Sequence, residues 1–186
     1  MINNNSSISF QAKFINSTQI LKNAGQNIYK PMKTSFLEID TTNKNDIAAL
    51  SVVDKYWDNS FACNIYATAN ALKHGIFDID EYKIYALTKQ LNNFDKLDGT
   101  QILGLAEISP KTDGAIFIDY IQVAPENIYT TQPQYKKIGS RMLDAFKNIA
   151  DKITLKPNSK GSAIFYTKNE FKPTFKNQDI FEWVRD

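Results

Sequence analysis

The chain is poor in the residues that hold small secreted domains together. Its 186 residues include one cysteine, so no disulfide can form within the chain. No apolar run reaches the roughly 20 residues that a transmembrane helix needs, and the polar residues 1–7 lack the apolar core of a signal peptide. These absences predict a soluble protein of the reducing cytoplasm with no membrane partner, in which Cys63 is a small buried side chain on a packed helix.

Histidine is equally scarce, and this limits metal chemistry. The single histidine, His74, follows an apolar helical stripe and precedes Gly75, which is typical of a helix end. There is no Cys/His cluster and no set of acidic residues at metal-ligand spacing, so no metal is predicted. The chain also lacks G-x-x-x-x-G-K-[ST] and G-x-G-x-x-G, which argues against a nucleoside triphosphatase or a dinucleotide enzyme.

The chain also lacks a large excess of charge of either sign. The formal net charge is +2, and acidic residues are interleaved with basic ones along the chain. Nucleic-acid-binding domains usually carry a larger and more clustered positive charge. The composition therefore disfavours nucleic acid as a partner and is that of an ordinary globular domain.

What the chain does have is a regular succession of strand and helix patterns. Apolar alternation predicts strands over residues 8–14, 35–39, 83–88, 102–108, 115–123, 153–155 and 179–184. Helical spacing predicts helices over 47–57, 61–73, 138–151 and 162–168, with Asp46 as the cap of the first. The order predicts an α+β fold with a central, mostly antiparallel sheet flanked by helices.

The chain is best divided into a short extension and one main domain. Residues 1–33 are predicted to be an N-terminal extension, in which residues 8–14 could pair with Ile20-Leu21 as a β-hairpin. Residues 34–186 are predicted to form the main domain, which is large enough for a hydrophobic core of its own.

A basic loop with a glycine separates the predicted strand 115–123 from the helix that follows. It reads Gln134-Tyr135-Lys136-Lys137-Ile138-Gly139-Ser140. Free backbone N–H groups and the positive end of the helix dipole converge at such a junction, and the two lysines add charge. The sequence therefore predicts a site for a phosphorylated ligand at this loop.

Two further motifs flank the loop. The strand before it ends in Ile121-Gln122-Val123-Ala124-Pro125, and the later short helix contains Ala163-Ile164-Phe165-Tyr166, followed by Phe171. Together with the loop and the element order, these motifs resemble the GCN5-related N-acetyltransferases, the GNAT family. The likeness covers roughly residues 34–171 and implies the GNAT acyl-CoA N-acyltransferase fold.

The match to the family has two departures, both at glycines. The family's loop, Gln/Arg-x-x-Gly-x-Gly/Ala, corresponds to Gln134-x-x-Lys137-x-Gly139, with lysine at the middle glycine. The family's downstream pattern, Ala-x-x-Phe/Leu-Tyr-x-x-x-Gly-Phe, has Glu170 at its glycine. The loop can keep its function if Lys137 is not forced into a backbone conformation that only glycine adopts easily.

The resemblance implies acetyl-CoA as co-substrate and indicates which residues hold it. The amides around the loop would bind the pyrophosphate, and the backbone of β-strand residues before Pro125 would pair with the pantetheine arm. The implied cofactor-binding residues are Ile121, Gln122, Val123, Gln134, Lys136, Lys137, Ile138, Gly139 and Ser140.

The resemblance also suggests the catalytic groups. Tyr166 corresponds to a tyrosine that protonates the leaving thiolate, since a phenol pKa of about 10 is near a thiol pKa of about 8.5. Asp119 is the nearest acidic candidate for a general base, on a face shared with Ile121 and Val123. Glu126 or an ordered water are the alternatives for the base, and structural roles for Tyr166 and Asp119 stay open.

The sequence therefore predicts an acyl-CoA-dependent N-acyltransferase that transfers an acetyl group directly to an amine. The alternatives are a non-catalytic CoA-binding module and a toxin-type acetyltransferase of aminoacyl-tRNA, for which Lys136, Lys137, Arg141 and Lys147 would form a basic face. The acceptor would be shaped by residues 47–75 and 126–134, with Phe61 and Tyr129 as lining candidates. Segment 125–134 could gate the site or contact a second copy in a homodimer.

Overall fold

A computed structural model describes residues 11–128 and 130–185 of the chain. Its centre is a nine-stranded sheet with the strand order β6-β1-β2-β3-β4-β5-β7-β9-β8. The strands are β1 Lys13–Asn23, β2 Tyr29–Glu38, β3 Lys83–Thr88, β4 Ile102–Pro110, β5 Ala115–Val123, β6 Tyr135–Lys136, β7 Lys152–Leu155, β8 Lys172–Pro173 and β9 Phe181–Val184. The helices are α1 Lys44–Trp57, α2 Ser60–Lys73, α3 Ile138–Ile149 and α4 Lys160–Lys168.

This architecture confirms the predicted α+β fold. The strands β5 and β7 run parallel, whereas the other described strand pairs are antiparallel. The bounds of β3 and β5 are those predicted, because both are apolar segments bounded by polar turns. None of the described helices combines the length and the apolarity that crossing a membrane requires.

The N-terminal part differs from the prediction. β1 is one continuous strand that pairs with β2, so the expected hairpin between residues 8–14 and Ile20-Leu21 is wrong where it falls within the described residues. The turn lies instead at residues 24–28, because Gly25, Gln26 and Asn27 adopt the left-handed conformation that reverses the chain. Residues 8–10 lie outside the described residues. The boundary proposed between residues 33 and 34 falls within β2, so both sides of it share one sheet.

The first helix also begins differently. Asn43, not Asp46, is its N-cap, and the Asn43 side chain accepts a hydrogen bond from the Asn45 N–H at 2.8 Å. Asp46 lies in the first turn and is buried, with its Oδ2 accepting from the Asp40 N–H at 2.9 Å. Burial raises the pKa of Asp46 to about 7.

The sheet has a hydrophobic core on each face. On the first face, which we call the α3 face, Phe36 and Tyr85 pack against Phe146 of α3 with ring centroids 5.2 Å apart. On the opposite face, the α2 face, the buried stripes of α1 and α2 cover Leu37, Ile84 and Leu105. Cys63 points away from the buried stripe of α2 and is exposed, so its predicted burial is wrong.

Strands β5 and β7 separate along part of their length, and this separation opens the cleft described below. β7 pairs with β5 only from Ala115 to Ile118, whereas β5 continues to Val123 along β4. A β-bulge interrupts β5 at the same place, since Glu107 and Ile108 of β4 face Tyr120 and Ile118, which leaves Asp119 as the extra residue. The upper half of β5 therefore presents an edge that β7 does not cover.

Candidate active site

A cleft of about 1110 Å³ opens where β5 and β7 separate. One wall is the upper half of β5, and the others are the start of α3, the segment from Lys156 into α4, and the start of α2. The cleft-lining residues are Asn59, Ser60, Phe61, Ile118, Asp119, Tyr120, Ile121, Gln122, Val123, Asn127, Ile128, Tyr135, Lys136, Lys137, Ile138, Gly139, Ser140, Lys156, Pro157, Asn158, Ser159, Gly161, Ser162, Phe165 and Tyr166.

The structure thus brings together all but one of the predicted site residues. The exception is Gln134, which is exposed and does not line the cleft. Its carbonyl oxygen accepts a hydrogen bond from the Asn23 N–H at 2.8 Å, so it contacts the hairpin formed by β1 and β2, which we call the N-terminal hairpin. Glu126, the alternative base, is also exposed and outside the lining.

The β5 edge supplies backbone groups to the cleft. Residues 119–123 lie beyond the last pair with β7, so one side of their backbone faces the cleft instead of a neighbouring strand. The Gln122 side chain is buried and donates from Nε2 to the Val123 carbonyl at 2.7 Å. An extended ligand can pair with such an edge by main-chain hydrogen bonds.

The start of α3 forms the anion-binding end of the cleft. Lys137 is the N-cap, and its side chain makes no capping hydrogen bond to the first turn. Ile138, Gly139 and Ser140 line the cleft at the positive end of the helix dipole. This geometry suits a phosphate or pyrophosphate group.

Lys137 adopts the left-handed conformation, with φ 67° and ψ 13°. This is the conformation that a glycine adopts without strain, and a β-carbon makes it unfavourable. The condition stated from the sequence, that Lys137 avoids a glycine-type conformation, is therefore not met, although the lysine keeps the backbone shape of a glycine at this position. Glu170, at the other substituted glycine, does the same with φ 71°.

Gly139 lies where α3 packs closely against α4 and β5. A β-carbon there would lie 3.0 Å from Cζ of Phe165 and 3.6 Å from Cγ2 of Val123. The glycine thus lets α3 approach α4 closely beside the cleft.

Tyr166 of α4 reaches the cleft from the opposite wall. Its side chain is buried against Phe165 and Phe171, at ring-centroid distances of 5.3 and 5.9 Å. Its hydroxyl makes no hydrogen bond to any residue that the structure describes, so no protein carbonyl occupies it. Burial raises the pKa of Tyr166 to about 12, which keeps the hydroxyl protonated and able to donate.

Asp119 lies in the cleft wall at the bulge of β5. Its Oδ2 accepts a hydrogen bond from the Ser109 Oγ at 2.6 Å. Ser109 alternates with Ile108, which belongs to the α3-face core, so Asp119 projects toward the α2 face. The predicted common face with Ile121 and Val123 is therefore wrong, because the bulge adds a residue and breaks the alternation. Burial raises the pKa of Asp119, partly offset by the Ser109 hydrogen bond.

A second carboxyl group, which the sequence did not indicate, lies behind Asp119. Glu107 of β4 is 2% exposed, and its Oε2 has no hydrogen-bond partner. Burial raises the pKa of Glu107 to about 7, the Thr68 hydroxyl lowers it, and the charge of Asp119 raises it further. Glu107 lies in an otherwise apolar strand. The only signal for it in the sequence is a charged residue at a position where the pattern predicts a buried one.

The start of α2 closes the cleft on the α2 face. Phe61 packs against Tyr120 with ring centroids 5.5 Å apart, and both line the cleft as Phe61 was expected to do. Ile128 contributes from the segment before the loop, whereas Tyr129 lies outside the described residues. The segment 156–159 was missed, although Asn158-Ser159 before a helix is a recognisable cap signal.

Comparison with solved structures shows what this architecture resembles. An acetyl-CoA complex of Campylobacter jejuni N-acetyltransferase PseH aligns with a TM-score of 0.51 and 12% identity, over 81% of this chain and 99% of that chain. A Desulfovibrio desulfuricans protein described as an acetyltransferase of the GNAT family aligns with a TM-score of 0.52 and 14% identity, over 81% and 98% of the two chains. AtaTR bound with acetyl-CoA gives 0.52 and 10%, over 81% and 92%.

A scan against protein families and a search of curated proteins give no significant match. At the identities found, the likeness to solved structures establishes the fold. The chain has an α+β acyltransferase fold. More narrowly, it is the fold of the GNAT acetyltransferases, as the three motifs implied.

Proposed function

We propose that the chain is an acyl-CoA-dependent N-acyltransferase that transfers an acetyl group from acetyl-CoA to an amine within a ternary complex. The observation that carries the proposal is one cleft that contains an open strand edge, an uncapped helix start, Tyr166 and Asp119. The acetyl-CoA complexes of PseH and AtaTR, which share the fold, support the choice of co-substrate.

The residues of the cleft fit acetyl-CoA in three places. The N–H groups of Ile138, Gly139 and Ser140 would bind the pyrophosphate, with the Lys137 ammonium as a mobile cation. The backbone of residues 121–123 would pair with the amides of the pantetheine arm. The thioester would then lie between β5 and Tyr166, where the two walls of the cleft face each other.

The chemistry needs two proton transfers, and the cleft offers a group for each. Asp119 would take a proton from the ammonium form of the acceptor, whose neutral nitrogen then bonds to the thioester carbon. Tyr166 would donate its proton to the departing sulfur and regain one from the new amide nitrogen. Holding both reactants in one cleft supplies most of the rate, since it makes the encounter intramolecular.

The test is binding and turnover with purified protein. We expect calorimetry to show one acetyl-CoA site per chain and a thiol-release assay to show turnover with at least one member of an amine panel. Absence of both binding and thiol release would contradict the proposal.

A non-catalytic CoA-binding module is the second candidate, favoured by the two substituted glycines. Lys137 and Glu170 both have left-handed backbone conformations, which a glycine would adopt without strain. Acetyl-CoA binding without turnover, unaltered by Tyr166→Phe, would favour this candidate over an enzyme.

The tRNA-acetylating alternative depends on a face of four basic side chains. Three of these side chains contact other residues of the chain. Arg141 pairs with Asp144 at 2.8 Å, Lys147 pairs with Glu170, and Lys136 stacks on Tyr29. Lys137 is the remaining member of that face and lies in the cleft. We therefore do not propose nucleic acid as the partner.

A further inference from the structure

The N-terminal hairpin carries charge of one sign only. Residues 11–37 contain four lysines and no aspartate or glutamate, which is an exception to the mixed charges of the rest of the chain. Lys22 and Lys30 lie directly opposite each other on β1 and β2, and like charges in such a pair destabilise a hairpin. All four lysines are exposed, and none forms an ion pair within the described part of the chain. The hairpin therefore presents positive charge without a neutralising acid.

The segment between α2 and β3 has the opposite character. We call residues 74–82 the acidic loop, because they contain Asp78, Asp80 and Glu81 and no lysine or arginine. The three acidic residues are exposed and form no ion pair with any residue that the structure describes. The Asp78 carboxylate accepts a hydrogen bond from the Asp80 N–H at 3.1 Å, which leaves its charge in place. The acidic loop therefore presents negative charge without a neutralising base.

Both surfaces also expose large apolar side chains. Ile76, Phe77 and Ile79 of the acidic loop are 72%, 38% and 54% exposed, although burial of such side chains is favourable. Ile28, at the tip of the N-terminal hairpin, is 56% exposed. Neighbouring exposed apolar side chains with a charged rim are typical of a protein contact. The two surfaces thus match each other in charge and in apolar character.

The two surfaces lie at opposite ends of β2. The hairpin turn precedes Tyr29 at the start of this 10-residue strand. The acidic loop lies at the other end, since its residues Ile79 and Asp80 share a small cleft with Glu38. A strand of this length spans roughly 30 Å, so one chain cannot bring the two surfaces together. A second copy of the chain in head-to-tail orientation can.

We propose that the protein self-associates head to tail, with the N-terminal hairpin of one copy bound to the acidic loop of the next. Ion pairs between hairpin lysines and loop carboxylates surround a contact of Ile28 with the apolar side chains of the loop. Two copies related by a two-fold axis form this contact twice and close a dimer, whereas an arrangement that does not close continues into longer assemblies. The inference does not depend on the proposed function, because neither surface lines the cleft beside β5.

Sedimentation velocity of the full-length native protein measures the association. We expect the sedimentation coefficient to rise with protein concentration, with a dissociation constant below about 1 mM at low salt. This constant should rise at least about tenfold between about 0.05 M and about 1 M sodium chloride, because salt screens exposed ion pairs. Ile28→Ser and Ile76→Ser should each raise it by roughly 3- to 10-fold, because each removes an apolar side chain from the contact.

Charge reversal tests which surfaces meet. Lys22→Glu combined with Lys30→Glu makes the hairpin tip acidic, like the loop. Asp80→Lys combined with Glu81→Lys makes the loop basic, like the hairpin. We expect each double variant by itself to associate at least about tenfold more weakly than the native protein, because like charges then meet. An equimolar mixture of the two should associate about as tightly as the native protein, because each hairpin again meets a loop of opposite charge.

Matched controls change the net charge by the same amount at exposed positions outside both surfaces. Lys172→Glu combined with Lys176→Glu is the control for the hairpin variant, and Asp95→Lys combined with Asp179→Lys is the control for the loop variant. Both controls should associate like the native protein, since the two contacting surfaces are intact. Circular dichroism establishes that each variant is folded. If a double variant does not fold, Lys30→Glu and Asp80→Lys alone are used in the same mixing experiment.

A native protein that stays monomeric up to about 1 mM would overturn the inference. A mixture of the two reversed variants that stays monomeric would do the same, as would an association that neither reversal weakens. Binding of a monomeric native protein to heparin or to phosphatidylserine vesicles would assign the hairpin to another anionic partner, and it would equally overturn the inference.

Discussion

The ammonium nitrogen of Lys136 lies 3.8 Å from the centroid of the Tyr29 ring. The Tyr29 hydroxyl also donates to the Pro133 carbonyl at 2.8 Å, and β6 pairs with β1. The N-terminal hairpin therefore holds the loop that leads into α3. Because Lys136 is engaged in this way, its side chain positions the loop, and Lys137 is left as the cation beside the helix start.

This contact predicts that the hairpin contributes to cofactor affinity. Tyr29→Leu removes the ring and the hydroxyl, so the loop loses two anchors and we expect CoA affinity to fall by roughly 3- to 10-fold. Tyr29→Phe keeps the ring and should lose less than half of that free energy. Calorimetry with CoA measures both variants. Unchanged affinity in Tyr29→Leu would show that the hairpin does not support the loop.

The left-handed backbone of Lys137 gives a second prediction. Lys137→Gly relieves the strain and should raise the free energy of unfolding by about 1 kcal/mol, or the melting temperature by roughly 2–4 °C. Lys137→Ala removes the same charge but keeps a β-carbon, so it serves as the matched control and should not stabilise. Differential scanning calorimetry compares the two.

The same pair of variants separates the two functions of the lysine. If the backbone of the loop holds the phosphates, Lys137→Gly should preserve or improve CoA affinity. A large loss in both variants would instead mean that the ammonium group is the main phosphate ligand.

Glu170 offers a parallel test at the other substituted glycine. Its carboxylate pairs with Lys147, so Glu170→Gly and Glu170→Ala both lose this ion pair. They differ in the left-handed backbone, which only glycine adopts without strain. We therefore expect the glycine variant to melt at a higher temperature than the alanine variant. Equal melting temperatures would argue that residue 170 relaxes to another conformation.

The central elements of the fold could be predicted because each is determined by local pattern. β3 and β5 are apolar between turns, and the stripes of α1 and α3 have helical spacing. The turn at residues 24–28 was missed although Gly25 and Asn27 favour turns, and only the left-handed conformation of Gln26 has no such signal in the sequence. The contact of Lys136 with Tyr29 joins residues more than 100 positions apart, which no local pattern encodes.

Tyr166 gives a prediction about catalysis. If its hydroxyl protonates the leaving sulfur, Tyr166→Phe should lower kcat by roughly 100-fold or more while CoA affinity stays within about twofold. Because the pKa of Tyr166 is raised to about 12, activity should not fall on the alkaline side below about pH 10 through loss of this proton. Steady-state kinetics over pH 6–10 checks both points. A small effect on kcat would leave Tyr166 a packing residue.

Glu107 should make stability depend on pH. Its pKa is raised from an ordinary value of 4.5 to about 7, so between these values the folded chain binds more protons than the unfolded chain. The free energy of unfolding should therefore fall as pH rises from about 4.5 to about 7, by up to about 3 kcal/mol from this group.

The Glu107→Gln variant lacks this pH dependence, so its comparison with the native protein measures the contribution of Glu107. The variant should gain stability relative to the native protein as pH rises from 5 to 8, measured by urea unfolding at both values. Asp46, whose pKa is also raised to about 7, is present in both proteins, so its contribution cancels. An equal stability difference at pH 5 and pH 8 would show that Glu107 ionises normally.

The site itself was predictable only where a residue carries its own signal. Lys137, Gly139 and Tyr166 stand in recognisable motifs, and all three line the cleft. Asp119 was assigned to the wrong face because a bulge changes the alternation without marking the sequence. Glu107 was missed because its importance comes from burial beside a neighbouring strand, which is a property of the sheet.

Because β5 pairs with β7 over only part of its length, the stability of the fold is expected to depend on the concentration of a ligand that binds the rest of β5. The sheet is joined there by four residue pairs, and under the proposed function bound acyl-CoA would complete the uncovered edge above them. A ligand that binds the folded chain alone shifts the folding equilibrium by mass action, by about 2.7 kcal/mol at 100 times its dissociation constant. Under the proposed function, the fraction of molecules that escape unfolding and proteolysis would follow the local concentration of acyl-CoA.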